Sequence, residues 1–303
     1  MPFIVAPHLS LALMAGILLI IIISFIICLS FLPESPYFLV MKNKMEEAEE
    51  TLEKLRGKTD VSEELGVIVA TLSKEEKVEV KRSSVKEIFT VRANFRAFLI
   101  IILFSVTHHF GGFYIILTYA QLIFKATNNT VSDYTVTVVL GGIQVISSIL
   151  TTCVVDRLGR KPLILWSGVI AAICNFVIGS YFYAIEYTST DVSILSWVPF
   201  VASFMLVFSS NCGLVCPQII MVSEVFTAET KATSTCLVGI GSGILATFSL
   251  KLYIWIAITL NYGHSPPFLA FALVVAICTA VIINISPETK GKTFLEIQKE
   301  LNE

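Results

Sequence analysis

Apolar residues in this chain gather into blocks about twenty residues long, not into stripes along one face of each segment. A helix of that length covers about 30 Å, the depth of bilayer hydrocarbon, and a segment half in water needs a polar face that these blocks lack. Seven blocks are long enough to cross, at 9–32, 95–124, 135–155, 162–185, 195–222, 233–260 and 267–286. Hydrophobic residues make up 55% of the 303, and the expected fold class is an all-α membrane protein embedded in a lipid bilayer. The first block is too long for a signal sequence and has no small-residue cleavage site, so it reads as a span.

Charge gives the orientation. Of 21 Lys and Arg, 19 fall on one side of a seven-crossing topology, and only Lys125 and Lys251 do not. Positive residues mark the face that is not translocated, so that side, with the carboxy terminus, is expected in the cytoplasm. The seven cysteines lie in or beside apolar blocks and read as small hydrophobes, with neither disulfides nor a metal pair at Cys212 and Cys216. Asn128-Asn129-Thr130 is a glycosylation sequon in an expected outer loop, with Asn128 the acceptor.

The chain divides into a first span at 1–32, a cytoplasmic helical linker at 33–94, six spans at 95–286 and a cytoplasmic tail at 287–303. In the linker, Met45, Ala48, Leu52 and Leu55 recur at helical spacing, Glu50 and Lys54 are an i,i+4 pair, and Gly57 is a stop signal. Asp60 is placed to cap a second helix carrying Leu65, Ile68 and Leu72. Ser84 and Glu87 form a capping-box pattern ahead of Ile88 and Phe89.

Polar clusters recur where helices meet the cytoplasm. They are Pro33-Glu34-Ser35-Pro36, the hairpin Val155-Asp156-Arg157-Leu158-Gly159-Arg160-Lys161, Ser223-Glu224 followed by Lys231, and Pro287-Glu288-Thr289-Lys290-Gly291. Ion pairs across helix ends, worth a few kcal/mol together, are the right size to bias two states of similar energy; the alternative is that they only anchor helices at the interface. In this order the four clusters resemble those of the sugar-porter family of the major facilitator superfamily. Pro33 to Leu39 and the acidic helix ending Leu55-Arg56-Gly57 are most similar to the insect facilitated trehalose transporters and their relatives. The resemblance implies that the seven spans are spans six to twelve of a twelve-span bundle, with five amino-terminal spans missing. It also implies a gate network of Glu34, Asp156, Arg157, Arg160, Glu224, Lys231 and Glu288.

Polar groups at mid-depth are costly unless they face a cavity or a partner. His108 and His109, followed by Gly111 and Gly112, interrupt the second span; Gln144 is a lone amide in the third; Gly213, Pro217 and Gln218 break the fifth; Gly239, Gly241, Ser242 and Gly243 loosen the sixth. Adjacent residues on a helix point about 100° apart, so at most one histidine is expected to look squarely into a cavity. Sugar porters carry a Gln-Gln-Leu-Ser-Gly-Ile-Asn type pattern where this chain has His108-His109-Phe110-Gly111-Gly112-Phe113-Tyr114, while Tyr119, Ile123 and Phe124 keep the register. The family's amide falls on Gln144, its span-ten tryptophan on Ile219 and its span-eleven asparagine-tryptophan pair on Ser242-Gly243.

The resulting expectation is passive, facilitated transport of a sugar-like solute by alternating access, with His108, His109, Tyr114, Gln144 and Ser242 at the solute. It includes no catalysis, cofactor, metal or nucleic-acid partner, and places the chain in the plasma membrane. No carboxylate sits at mid-depth, Glu186 being at an outer end, so proton coupling would need a carboxylate from the missing amino-terminal half. A porter diverged toward another solute and a non-transporting fragment stay open as alternatives. A seven-span receptor is disfavoured by the 60-residue insert after the first span.

Overall fold

The computed structural model describes residues 10–58, 60–77, 85–127, 133–188, 193–226, 228–286 and 300. All regular structure among them is helical, and seven helices are long and apolar enough to cross a membrane. The chain forms two compact units, residues 1–82 and 83–303.

The first unit holds α1 (Leu11–Ser30), α2 (Pro36–Met41), α3 (Met45–Arg56) and α4 (Ser62–Lys77). Helix α1 starts where the Ser10 hydroxyl accepts from the Leu13 N–H, and its isoleucines and leucines are exposed all round, as a bilayer-facing helix requires. Pro36 opens α2 at a position where the missing N–H costs nothing. Leu39, Val40, Ala48, Leu52, Val61 and Ile68 make a small core. Of the four-residue stripe expected on α3, only Ala48 and Leu52 are inside; Met45 and Leu55, at the two ends of the helix, are 40% and 56% exposed. The Glu50–Lys54 pair closes at 2.8 Å and Gly57 ends α3 at φ +63°. The Asp60 carboxylate accepts from Ser62 at the start of α4, as expected.

The second unit holds α5 (Val85–Thr90), α6 (Arg92–Phe110), α7 (Phe113–Lys125), α8 (Asp133–Leu158), α9 (Arg160–Tyr187), α10 (Val198–Ser210), α11 (Cys216–Val225), α12 (Ala228–Ile254) and α13 (Ser265–Ile285). Phe89 of α5 packs on Phe98 with ring centroids 5.6 Å apart, and Ile88 is fully buried. Ser84, the expected cap of α5, lies outside the described residues. Helices α6 and α7 are the two halves of one broken span. Helix α10 passes into α11 through a π turn at Asn211–Val215, which widens the ladder before Pro217. The glycines of the sixth block do not break α12, which runs unbroken, because a helical glycine keeps its N–H and the ladder continues; the irregularity comes later, in a π turn at Trp255–Thr259. Between α8 and α9 only Gly159, at φ +90°, is non-helical.

Candidate functional site

Broken helices concentrate polar groups in the middle of the second unit. Gly112 takes φ +86°, a left-handed conformation, and α7 restarts at Phe113. The Gly111 carbonyl freed by the break accepts from Asn175 Nδ2 at 2.8 Å, and the same amide donates to the Ala171 carbonyl, also at 2.8 Å. Asn175 is fully buried, so a neighbouring span stabilises the break with directed bonds.

Beside this break lies a cavity of about 650 Å³, walled by α6, α7, the α10–α11 turn with α11, and α12. His108, His109, Tyr114, Gln218, Thr235 and Ser242 bring its polar groups; Val215, Val222, Val238 and Ala246 make much of the remaining wall. Both histidines line it. Helix α6 ends just beyond them and the wall turns with the chain, so Tyr114 comes back to 5.2 Å from His108 and 5.4 Å from His109, the latter stacked at 20°. His109 Nε2 is 3.1 Å from Ser242 Oγ, Ser242 Oγ is 3.3 Å from Ser105 Oγ, and Gln218 Nε2 donates to Ser105 Oγ at 2.7 Å. Gly239 and Gly243 add no side chains to this wall, which leaves the volume open.

Gln144 is not among the lining residues. Its backbone carbonyl accepts from Asn211 Nδ2 at 3.0 Å, and the same amide reaches Ser147 and Ser148 at 2.8 and 2.7 Å, tying α8 to the π turn. Of the gate candidates, the side chains of Asp156, Arg157, Glu224 and Lys231 lie outside the described residues, as do all of Glu288 and the sequon residue Asn128. Glu34 is exposed in the first unit, and Arg160 is half-buried at the start of α9. One contact near this end of the bundle was not among those expectations: Lys161 donates to the Ser286 carbonyl at 3.1 Å, setting a cation against the carboxy-terminal end of α13.

The chain is 28% identical over 278 residues to the facilitated trehalose transporter Tret1 of Apis mellifera ligustica, covering 91% of this chain and 54% of that protein. It is 33% identical over 288 residues to the sugar transporter ERD6-like 1 of Arabidopsis thaliana, covering 91% and 58%. The fold is similar to that of the inward-open xylose transporter XylE from E. coli, with a TM-score of 0.68 at 20% identity, over 91% of this chain and 54% of the other. This chain therefore spans little more than half the length of each of these three proteins. It is an integral multi-pass membrane protein of the major facilitator fold. The sugar (and other) transporter model matches residues 7–301, and the chain belongs to that family.

Proposed function

We propose that this chain supplies the carboxy-terminal half of a facilitative transporter for a sugar-like solute, with the cavity at His108, His109, Tyr114, Gln218 and Ser242 as its part of the solute site. The observation that carries the reading is the broken span at Gly111–Gly112, which sets that polar cluster beside an open volume at mid-span. Imidazole, phenol, amide and hydroxyl groups are the neutral partners a polyol needs. Asp156, Arg157, Arg160, Glu224, Lys231 and Glu288 are the cytoplasmic gate of this proposal, and the plasma membrane is its site. Asn128 then faces outward as a glycan acceptor.

The test is equilibrium dialysis of the purified chain in nanodiscs against radiolabelled trehalose, glucose and sorbitol. Saturable binding of at least one, weakened roughly tenfold by Gln218→Ala, is the expected result, as loss of one neutral hydrogen bond implies. Absence of saturable binding for all three would falsify the sugar reading and favour a porter diverged toward another solute.

A further inference from the structure

The hydrogen-bonded chain beside the cavity fixes where its protons sit. Ser105 Oγ is 3.0 Å from the Ile101 carbonyl, 2.7 Å from Gln218 Nε2 and 3.3 Å from Ser242 Oγ. The Ser105 hydroxyl donates to the Ile101 carbonyl, and its oxygen accepts from the Gln218 amide nitrogen. Turning the Gln218 amide over changes nothing, since the Ser105 proton is then spent on the amide oxygen. Ser242 in turn donates to the Ser105 oxygen. The Ser242 oxygen then accepts from His109 Nε2 at 3.1 Å, so the imidazole carries its proton on Nε2.

A neutral ring protonated on Nε2 leaves Nδ1 as a bare lone pair. His109 Nδ1 is buried and has no hydrogen-bond partner among the described residues, on a ring 5% exposed that lines the cavity and carries Tyr114 stacked against it. Buried polar atoms in native proteins are nearly always paired, so an unpaired acceptor on a ring that lines a cavity calls for a partner. We propose that His109 Nδ1 is an acceptor for a solute hydroxyl, making His109 the residue that demands an O–H donor at one position of the solute. The inference rests on the sugar reading above and adds the direction of one hydrogen bond. An amide at this place would offer either a donor or an acceptor; the tautomer-fixed imidazole offers the acceptor alone. The Tyr114 ring has to shift for the hydroxyl to reach it.

Two measurements on the purified chain in nanodiscs test this. In the first, ¹⁵N NMR of histidine-labelled protein, with the resonance assigned by its loss in His109→Gln, reads the tautomer of the empty site. A proton on Nε2 is expected, and a proton on Nδ1 overturns the proposal. In the second, glucose competes with its deoxy and deoxyfluoro analogues. Fluorine accepts but does not donate, so at one ring position both analogues should bind roughly tenfold more weakly than glucose. His109→Gln, which presents an amide, should restore the fluoro analogue alone. Equal binding of glucose and every fluoro analogue overturns the proposal. Absence of glucose binding with Nε2–H in place overturns the sugar reading and leaves the acceptor assignment standing.

Discussion

Gly112 holds the broken span in its shape through its missing side chain. At φ +86° any other residue is strained, and a Cβ there would lie 2.6 Å from Asn175 Oδ1 and 3.3 Å from Leu206. Gly112→Ala is therefore expected to cost about 1–3 kcal/mol from backbone strain and displacement of Asn175. Gly142→Ala, in a helix with no described residue within 4 Å of the new methyl, should be neutral or stabilising. Unfolding in detergent, followed by circular dichroism, reads the difference, and equal midpoints for the two variants overturn this account. The contrast also marks what the sequence could reveal. The Gly111–Gly112 break and the polarity of His108, His109, Tyr114 and Ser242 stand out against an apolar background, and these residues do come together. Ser105, Asn175 and Asn211 do not stand out. Lone small polar residues on apolar helices often bond back to their own turn, as Ser105 does to the Ile101 carbonyl, and their cross-helix partners are set by packing. Gln144 is outside the lining of the cavity, and its backbone carbonyl accepts from Asn211 in the turn between α10 and α11.

Helix ends carry the next level of organisation. At the start of α13 the His264 and Ser265 N–H groups donate to the two oxygens of Glu186, at 2.6 and 3.1 Å, so one carboxylate of α9 caps a neighbouring helix. Gly263, at φ +79°, makes room, since a Cβ there would come within 2.5 Å of that carboxylate. Tyr253 of α12 joins through His264 Nδ1 at 2.8 Å and stacks on Tyr119, where α7 departs from helical angles. Glu186→Gln replaces one acceptor by an amide N–H that opposes a backbone N–H, and should lower stability by about 1–3 kcal/mol; unchanged detergent unfolding refutes the cap. In the first unit the pH sign follows from the clamp between α3 and α4. The Arg56 guanidinium, bonded to Glu64, holds that carboxyl below its ordinary range, as Lys54 does for Glu50 and Ser62 for Asp60. Groups with lowered folded values contribute above the free carboxylate range and lose their contribution as pH falls through the folded value. Amide protection in 45–77 should therefore drop between pH 7 and pH 3, with a smaller drop in Arg56→Ala. Exposed pairs are weak, so the effect is local opening and not collapse of the unit. These helices were legible from spacing and stop signals; the cap from Glu186 was not, because its partners are backbone atoms 78 and 79 positions away.

For the whole molecule, seven apolar blocks announce the class of fold, and the order of the helix-end motifs announces the family, because both are written in local sequence. What local sequence leaves open is how much of a working transporter one such chain constitutes. Alternating access requires two halves that move about a central site, and this chain matches 54% and 58% of two transporters of its family. Among the described residues its cavity is walled by α6, α7, α11 with the turn before it, and α12, and α12 presents Ile240, Ile244 and Phe248, all more than half exposed, along a second hollow next to it. Such a face suits burial against further helices or lipid. If the chain is one half of the machine, liposomes carrying it alone should bind solute without net flux. Fusion behind the amino-terminal half of the Apis mellifera ligustica relative should give saturable uptake, lost in Arg157→Ala or Glu224→Ala while surface expression holds. Uptake by the chain alone sinks the half-transporter reading. Uptake by the fusion that survives both substitutions keeps the half but removes Arg157 and Glu224 from the gate. A surface-expressed fusion that binds solute and moves none places the defect in the rocking of the halves and not in the cavity, since binding and flux are read separately.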